Sequence, residues 1–228
     1  MLALLGLWFA LAIVFNGEPD IDRGVSGFFF AATTCVEGAT TKACGGFPLS
    51  VSAFWGAVRQ GFHYLPITVA AVVVAALAKE LASGRGLVNG NALYALTALA
   101  AFALGPGLLV NSFLKDYWGR PRPYSTDLFG GDLPFVPAGQ WSDACASNCS
   151  FVSGEASSIF WLVCLIPLLP ARLRRTGGIA IVAIAIFTAG LRVAFGGHYL
   201  SDVVLGGLST LVVFAFLAML AERFLVRR

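Results

Sequence analysis

Gly190-Leu-Arg-Val-Ala-Phe-Gly-Gly-His-Tyr-Leu-Ser-Asp202 decides the fold, because it sets Arg192, His198 and Asp202 between two apolar runs, 177–194 and 200–222. Ionisable groups are costly beside a hydrocarbon layer and persist there for a reason. His198 and Asp202 are four residues apart and share a face on a helix. The carboxylate then holds one imidazole nitrogen and leaves the other as base or nucleophile. A boundary cluster of salt bridges anchoring two helix ends is the competing reading of the same residues.

Working outward, four further apolar runs cover 2–16, 65–82, 92–114 and 154–170. At 1.5 Å per residue each is long enough, or nearly so, to cross a hydrocarbon core about 30 Å thick. With 58% hydrophobic and 12% charged residues, the chain is too apolar for a soluble domain. The expected fold is all-α: a polytopic membrane protein whose six-transmembrane-helix bundle forms one membrane-embedded domain over 1–228, with outer-face loops and a short interfacial helix. No Lys or Arg precedes the 2–16 run, so it reads as a retained span rather than a cleaved signal.

Six spans put both termini on one side. Lys79, Arg85, Arg172, Arg174, Arg175, Arg223, Arg227 and Arg228 oppose only Glu80 and Glu222 there. The split is +6 against −3 across the membrane, which gives the chain's +3. Positive-inside then places both termini in the cytoplasm. This charge is topological and gives no ground for nucleic-acid binding. Cys35 and Cys44 fall in one outer loop and Cys145 and Cys149 in the next, so two local disulfides in an oxidising compartment are expected; Cys164 lies in a span as a buried free thiol. Spacings of nine and four do not suit zinc, and no metal is expected.

Residues 17–64 read as the first outer loop. Within it Ile21, Val25, Phe28 and Phe29 recur at helical spacing beside Asp20, Asp22 and Arg23, which suits an amphipathic helix in the interface, either a lip for a lipid substrate or a plain anchor. His63 closes this loop and reads as an interfacial polar residue, with proton donation as its alternative role should Glu155 take no part in the chemistry. Lys115 falls in the last turn of the third span, and Pro121 and Pro123 hold Arg122 on an extended segment beyond it. Cations on the outer side run against positive-inside, so they imply either a bound anion or headgroup snorkelling. Residues 124–152 read as a cysteine-bracketed lid with nothing catalytic in it. Ser153 then caps the fourth span, and its first-turn amides, with Gly154 permitting close approach, form an anion site; an ordinary cap with Glu155 on the helix dipole is the alternative.

Taken together these segments resemble the type-2 phosphatidic acid phosphatase superfamily of membrane lipid phosphatases, which includes vanadium haloperoxidases. Lys115, Arg122 and Pro123 match its first motif. Arg192, His198 and Asp202 match the third, with Leu191 where a serine is usual. The second, Pro-Ser-Gly-His, stands here as Val152, Ser153, Gly154 and Glu155. The resemblance spans about 92–222. It implies an outer-face site with no metal or other cofactor and a phosphohistidine at His198. Asp202 would orient the imidazole, and Lys115, Arg122, Arg192 and the Ser153 and Gly154 amides would hold the phosphoryl group. The implied activity is hydrolysis of a phosphate monoester or pyrophosphate from a membrane lipid at the periplasmic face of a bacterial inner membrane. Lipid A is favoured because large capped loops suit a bulky glycolipid headgroup. Undecaprenyl pyrophosphate or phosphatidylglycerophosphate hydrolysis, phosphotransfer between lipids, and an inactive lipid-binding or transport protein are the alternatives. Glu155 replaces the family's general acid. An isolated glutamate among cations is ionised at neutral pH and donates poorly, so it acts as acid only if burial or bound phosphate reprotonates it, as base for the hydrolytic water, or as a helix cap.

Overall fold

The computed structural model describes residues 1–34, 43–83 and 90–226. Cys35, Arg85, Arg227 and Arg228, which figure in the disulfide and charge expectations, lie outside them. Six apolar helices carry the architecture: α1 (Leu2–Gly17), α3 (Ala53–Ala82), α4 (Gly90–Tyr117), α5 (Gly154–Leu168), α6 (Arg174–Ala194) and α7 (Leu200–Val226), with α2 (Asp20–Phe29) folded back from α1 by 78°. The protein is a multi-pass, all-helical membrane protein. Among the described residues four helices, α3, α4, α6 and α7, are long and apolar enough to cross a bilayer, or five if the bent pair α1 and α2 counts as one; α5 is too short by that measure. Six apolar helices thus stand at the six expected runs, with α5 packed as a short central rod.

That rod is tied on several sides. The Trp161 indole donates to the Ala98 carbonyl of α4 (2.6 Å), the Ser157 and Thr210 hydroxyls pair across to α7 (2.6 Å), and Tyr94 donates to the Cys164 carbonyl (2.8 Å). In a medium without water, such polar ties between helices replace solvent as partners for buried groups. Cys164 is free and buried, as expected.

Two departures from the sequence reading matter for the site. Helix α3 begins at Ala53, twelve residues before the apolar run, because the Ser52 hydroxyl caps it by accepting from the Trp55 amide (3.5 Å). His63 thus lies within a helix and not at the end of a loop. In α4, residues Ala103–Leu114 wind as a π-helix around Pro106, with the Asn111 amide donating to the Pro106 carbonyl (2.7 Å). The wider turn brings Asn111 and Lys115 against the start of α5.

The amphipathic helix α2 forms, but with an inversion. Phe28 is 84% exposed, while Asp22, expected on the wet face, is wholly buried. Val25 and Phe29 pack on Ala189, Val193 and Val203 of α6 and α7. A two-stranded ribbon, Ala31–Ala32 with Gly45–Gly46, follows α2, and Cys44 beside it is disulfide-bonded. Cys145 and Cys149 form the expected bridge.

Candidate active site

His198 sits in the turn between α6 and α7. Gly196 makes that turn with φ +64°, a conformation costly for any residue with a Cβ, and its bare face is covered by the Phe47 ring. The imidazole is almost wholly buried. Its Nδ1 donates to the Ser150 carbonyl (2.8 Å), whereas Asp202 Oδ2 is 3.9 Å away, beyond hydrogen bonding. The expected direct His198–Asp202 pair is therefore replaced by a bridge: the Ser150 hydroxyl donates to Asp202 Oδ2 at 2.5 Å, and its carbonyl fixes the imidazole. The segment 124–152, expected to hold nothing catalytic, thus contributes the group that sets the histidine tautomer.

Asp202 is held from behind. Its Oδ1 accepts from Arg120 (2.6 Å) and its Oδ2 from the Tyr199 amide (2.9 Å). Arg120 also donates to Asp22 (2.8 Å), to the Ser201 hydroxyl (2.8 Å) and to the Val136 carbonyl (2.8 Å), with its guanidinium 4.2 Å above the Tyr199 ring. The Ser201 amide and hydroxyl in turn donate to Asp22. Arg120, Asp22 and Asp202 are all fully buried. Burial opposes the Arg120 charge, but the two carboxylates more than offset it and raise its pKa.

On the opposite side stand the phosphate-binding candidates. Ser153 caps α5 as expected, accepting from the Ala156 amide. A Cβ on Gly154 would lie 2.2 Å from Asn111 Oδ1 and 3.0 Å from Lys115 Nζ, so only glycine lets the helix N-terminus approach that ammonium. Arg122 is extended and braced by Asn148 through its carbonyl (3.0 Å) and its side chain (2.7 Å). Arg192 is buried with Nε lacking a hydrogen-bond partner. Burial first, then the charges of Arg192, Arg122 and Lys115, hold the His198 imidazole well below its ordinary range. Its Nε2 is consequently a lone pair facing a cationic site at neutral pH. The structure thus brings Lys115, Arg122, Ser153, Gly154, Arg192, His198 and Asp202 to one place.

Glu155 stands among cations as expected, with one partner that was not foreseen. Arg59 of α3 donates to both its oxygens, Nε to Oε2 at 3.1 Å and Nη2 to Oε1. Arg192 Nε lies 3.5 Å from Oε2 and His63 Nδ1 3.8 Å from Oε1. A cavity of about 350 Å³ opens here, with His63, Asn111, Lys115, Gly154 and Glu155 among its walls and Phe62 and Phe102 on its apolar side. Asp22, Arg59, Arg120 and Ser150 escaped the sequence reading. Arg120, two residues before Arg122 on the same proline-stiffened stretch, carried the only local signal.

Known proteins show similar sequences and folds. The PAP2 superfamily pattern matches residues 92–225. The chain is 46% identical over 221 residues to a lipid A 4'-phosphatase of Rhizobium leguminosarum, covering 96% of this chain and 95% of that one. It is 33% identical to a lipid A 4'-phosphatase of Francisella tularensis subsp. novicida (strain U112), covering 95% of each. The crystal structure of a transmembrane PAP2 type phosphatidylglycerolphosphate phosphatase from Bacillus subtilis superposes with TM-score 0.59 over 97% of this chain and 96% of that one, at 20% identity, and so shares the fold. With its three motif segments converging on one buried histidine, the chain belongs to the PAP2 superfamily.

Proposed function

We propose that the protein is a lipid phosphatase that removes a phosphate monoester from lipid A at the periplasmic face of a bacterial inner membrane, through a phosphohistidine at His198. The observation that carries this reading is the neutral, buried imidazole with Nδ1 engaged by Ser150 and three cations around it. The near full-length likeness to lipid A 4'-phosphatases supports the substrate.

In the first step the His198 Nε2 lone pair attacks phosphorus and the bond to the sugar oxygen breaks, that oxygen leaving with a proton. Lys115, Arg122 and Arg192, with the amides at Ser153 and Gly154, take the charge that grows on the equatorial oxygens. Ser150 and Asp202 keep the Nδ1 proton in place as positive charge develops on the ring. Water then attacks the phosphohistidine, releasing inorganic phosphate and the free imidazole. Glu155 assists the proton transfers of these steps as an anion in the cavity wall. Side-chain cations and a helix N-terminus supply the positive charge, so the reaction is expected to proceed in EDTA and to be blocked by vanadate.

Purified protein in detergent should release inorganic phosphate from lipid A, and His198→Ala should abolish this while the protein still elutes as a folded species. Wild-type turnover in His198→Ala, or phosphate release from none of a panel of phospholipids and glycolipids, would end this reading.

A further inference from the structure

We propose that His63 of α3 is the general acid for the leaving oxygen, ion-paired with Glu155, so that a carboxylate–imidazole pair does here what one histidine does in the second motif elsewhere in the family. This rests on the phosphatase reading above. Glu155 has no proton to give: ion-paired with Arg59, it accepts on both oxygens, and Arg192 faces one of them. Imidazole is the side chain that ordinarily changes charge between pH 5 and 8. Nδ1 of His63 stands 3.8 Å from Glu155 Oε1, an ion-pair distance longer than a hydrogen bond, so the carboxylate faces that edge of the ring and leaves Nε2 for a substrate.

Phosphoryl transfer sets the attacking and leaving groups roughly in line, which calls for an acid away from His198. Lys115 and Gly154, which hold the phosphoryl group, line the cavity together with His63 and Glu155. His198 is not among the walls of that cavity; it lies against Ser150 and Asp202, with Lys115, Arg122 and Arg192 near enough for their charges to act on it. In the proposed arrangement a phosphoryl group on Lys115 and Gly154 is attacked by His198 from outside this cavity and leaves its departing oxygen in the cavity beside His63. As the phosphorus–oxygen bond breaks, the Nε2 proton of a charged His63 passes to that oxygen. Glu155 stabilises the charged ring beforehand, and in the second step neutral His63 takes a proton from the attacking water. Arg59, one helical turn before His63, makes the arrangement possible by pinning the carboxylate at the right height on α5.

The side chain of His63 is 39% exposed, so His63→Gln leaves the packing intact. The test compares turnover of a lipid alkyl phosphate, whose leaving group needs protonation, with that of 4-nitrophenyl phosphate, whose leaving group does not. The ratio of the two rates should fall by roughly 10²-fold or more in His63→Gln, within the range of general acid catalysis. Glu155→Gln should shift the ratio the same way, and the double variant should be no worse than the more impaired single. An unchanged ratio in His63→Gln, or losses that multiply in the double variant, would overturn the proposal. If wild-type protein releases phosphate from neither substrate, the underlying phosphatase reading fails instead.

Discussion

Two clusters of charge flank the candidate phosphoryl site, and they are built on opposite terms. Behind His198, Asp22, Arg120 and Asp202 are sealed from solvent, and several hydroxyl, amide and carbonyl groups complete their hydrogen bonds. In front, Arg59 and His63 are 30% and 39% exposed and Glu155 is 13% exposed, around an open cavity. A dry network cannot exchange protons with water during turnover, so its use is to hold one geometry. A wet one positions less firmly but can be recharged between cycles. The rear cluster therefore couples stability to activity, while the front cluster affects chemistry with little consequence for folding.

The largest effect should come from breaking the rear cluster. Arg120→Ala strands two buried carboxylates and should cost about 3–5 kcal/mol. Thermal unfolding in detergent would show it, together with loss of turnover. Next is Arg192→Gln, which removes a buried guanidinium that lacks a full set of partners. Turnover should fall roughly 10²- to 10³-fold with melting temperature unchanged or raised; a large drop in melting temperature would place Arg192 with the rear cluster. Arg59→Gln breaks a partly exposed pair and should cost no more than about 1 kcal/mol, while activity on lipid falls more than on an activated aryl ester. The mildest effect concerns pH. His198 is held below the ordinary histidine range, so its free base persists as pH falls past 6.5, and kcat/KM for an activated substrate should stay level there. A decline centred near 6.5 in a His63→Gln background would show that the cations do not surround His198 as described.

What was legible in the sequence was local. Lys115, Arg122, Ser153, Gly154, Arg192, His198 and Asp202 stand at short spacings within single segments or turns, and each reaches the site. Apolar periodicity found the helices, but it missed the first three turns of α3, where Arg59 and His63, which face the site, interrupt the hydrophobic run. Asp22, Arg59 and Ser150 could not be read because their partners are 98, 96 and 52 residues away. For Glu155 the same limit hid the principal partner. Its charge was anticipated, but the guanidinium opposite comes from a stretch read as loop. Asp22 looked like a wet-face residue because helical spacing reports which face a residue occupies and not what stands against that face.

The bond between Asp22 and Ser201 spans 179 residues, and it has a consequence for how the protein is made. Chains emerge from the ribosome N-terminus first, so Asp22 is delivered early, Arg120 midway, and Ser201 and Asp202 only with the final helix. Until α7 is inserted, the carboxylate on the interfacial helix lacks its Ser201 partner and has only Arg120 to pair with, and Asp202 is not yet in place beside His198. Completion of the last helix thus closes the structure and the network around His198 in one event.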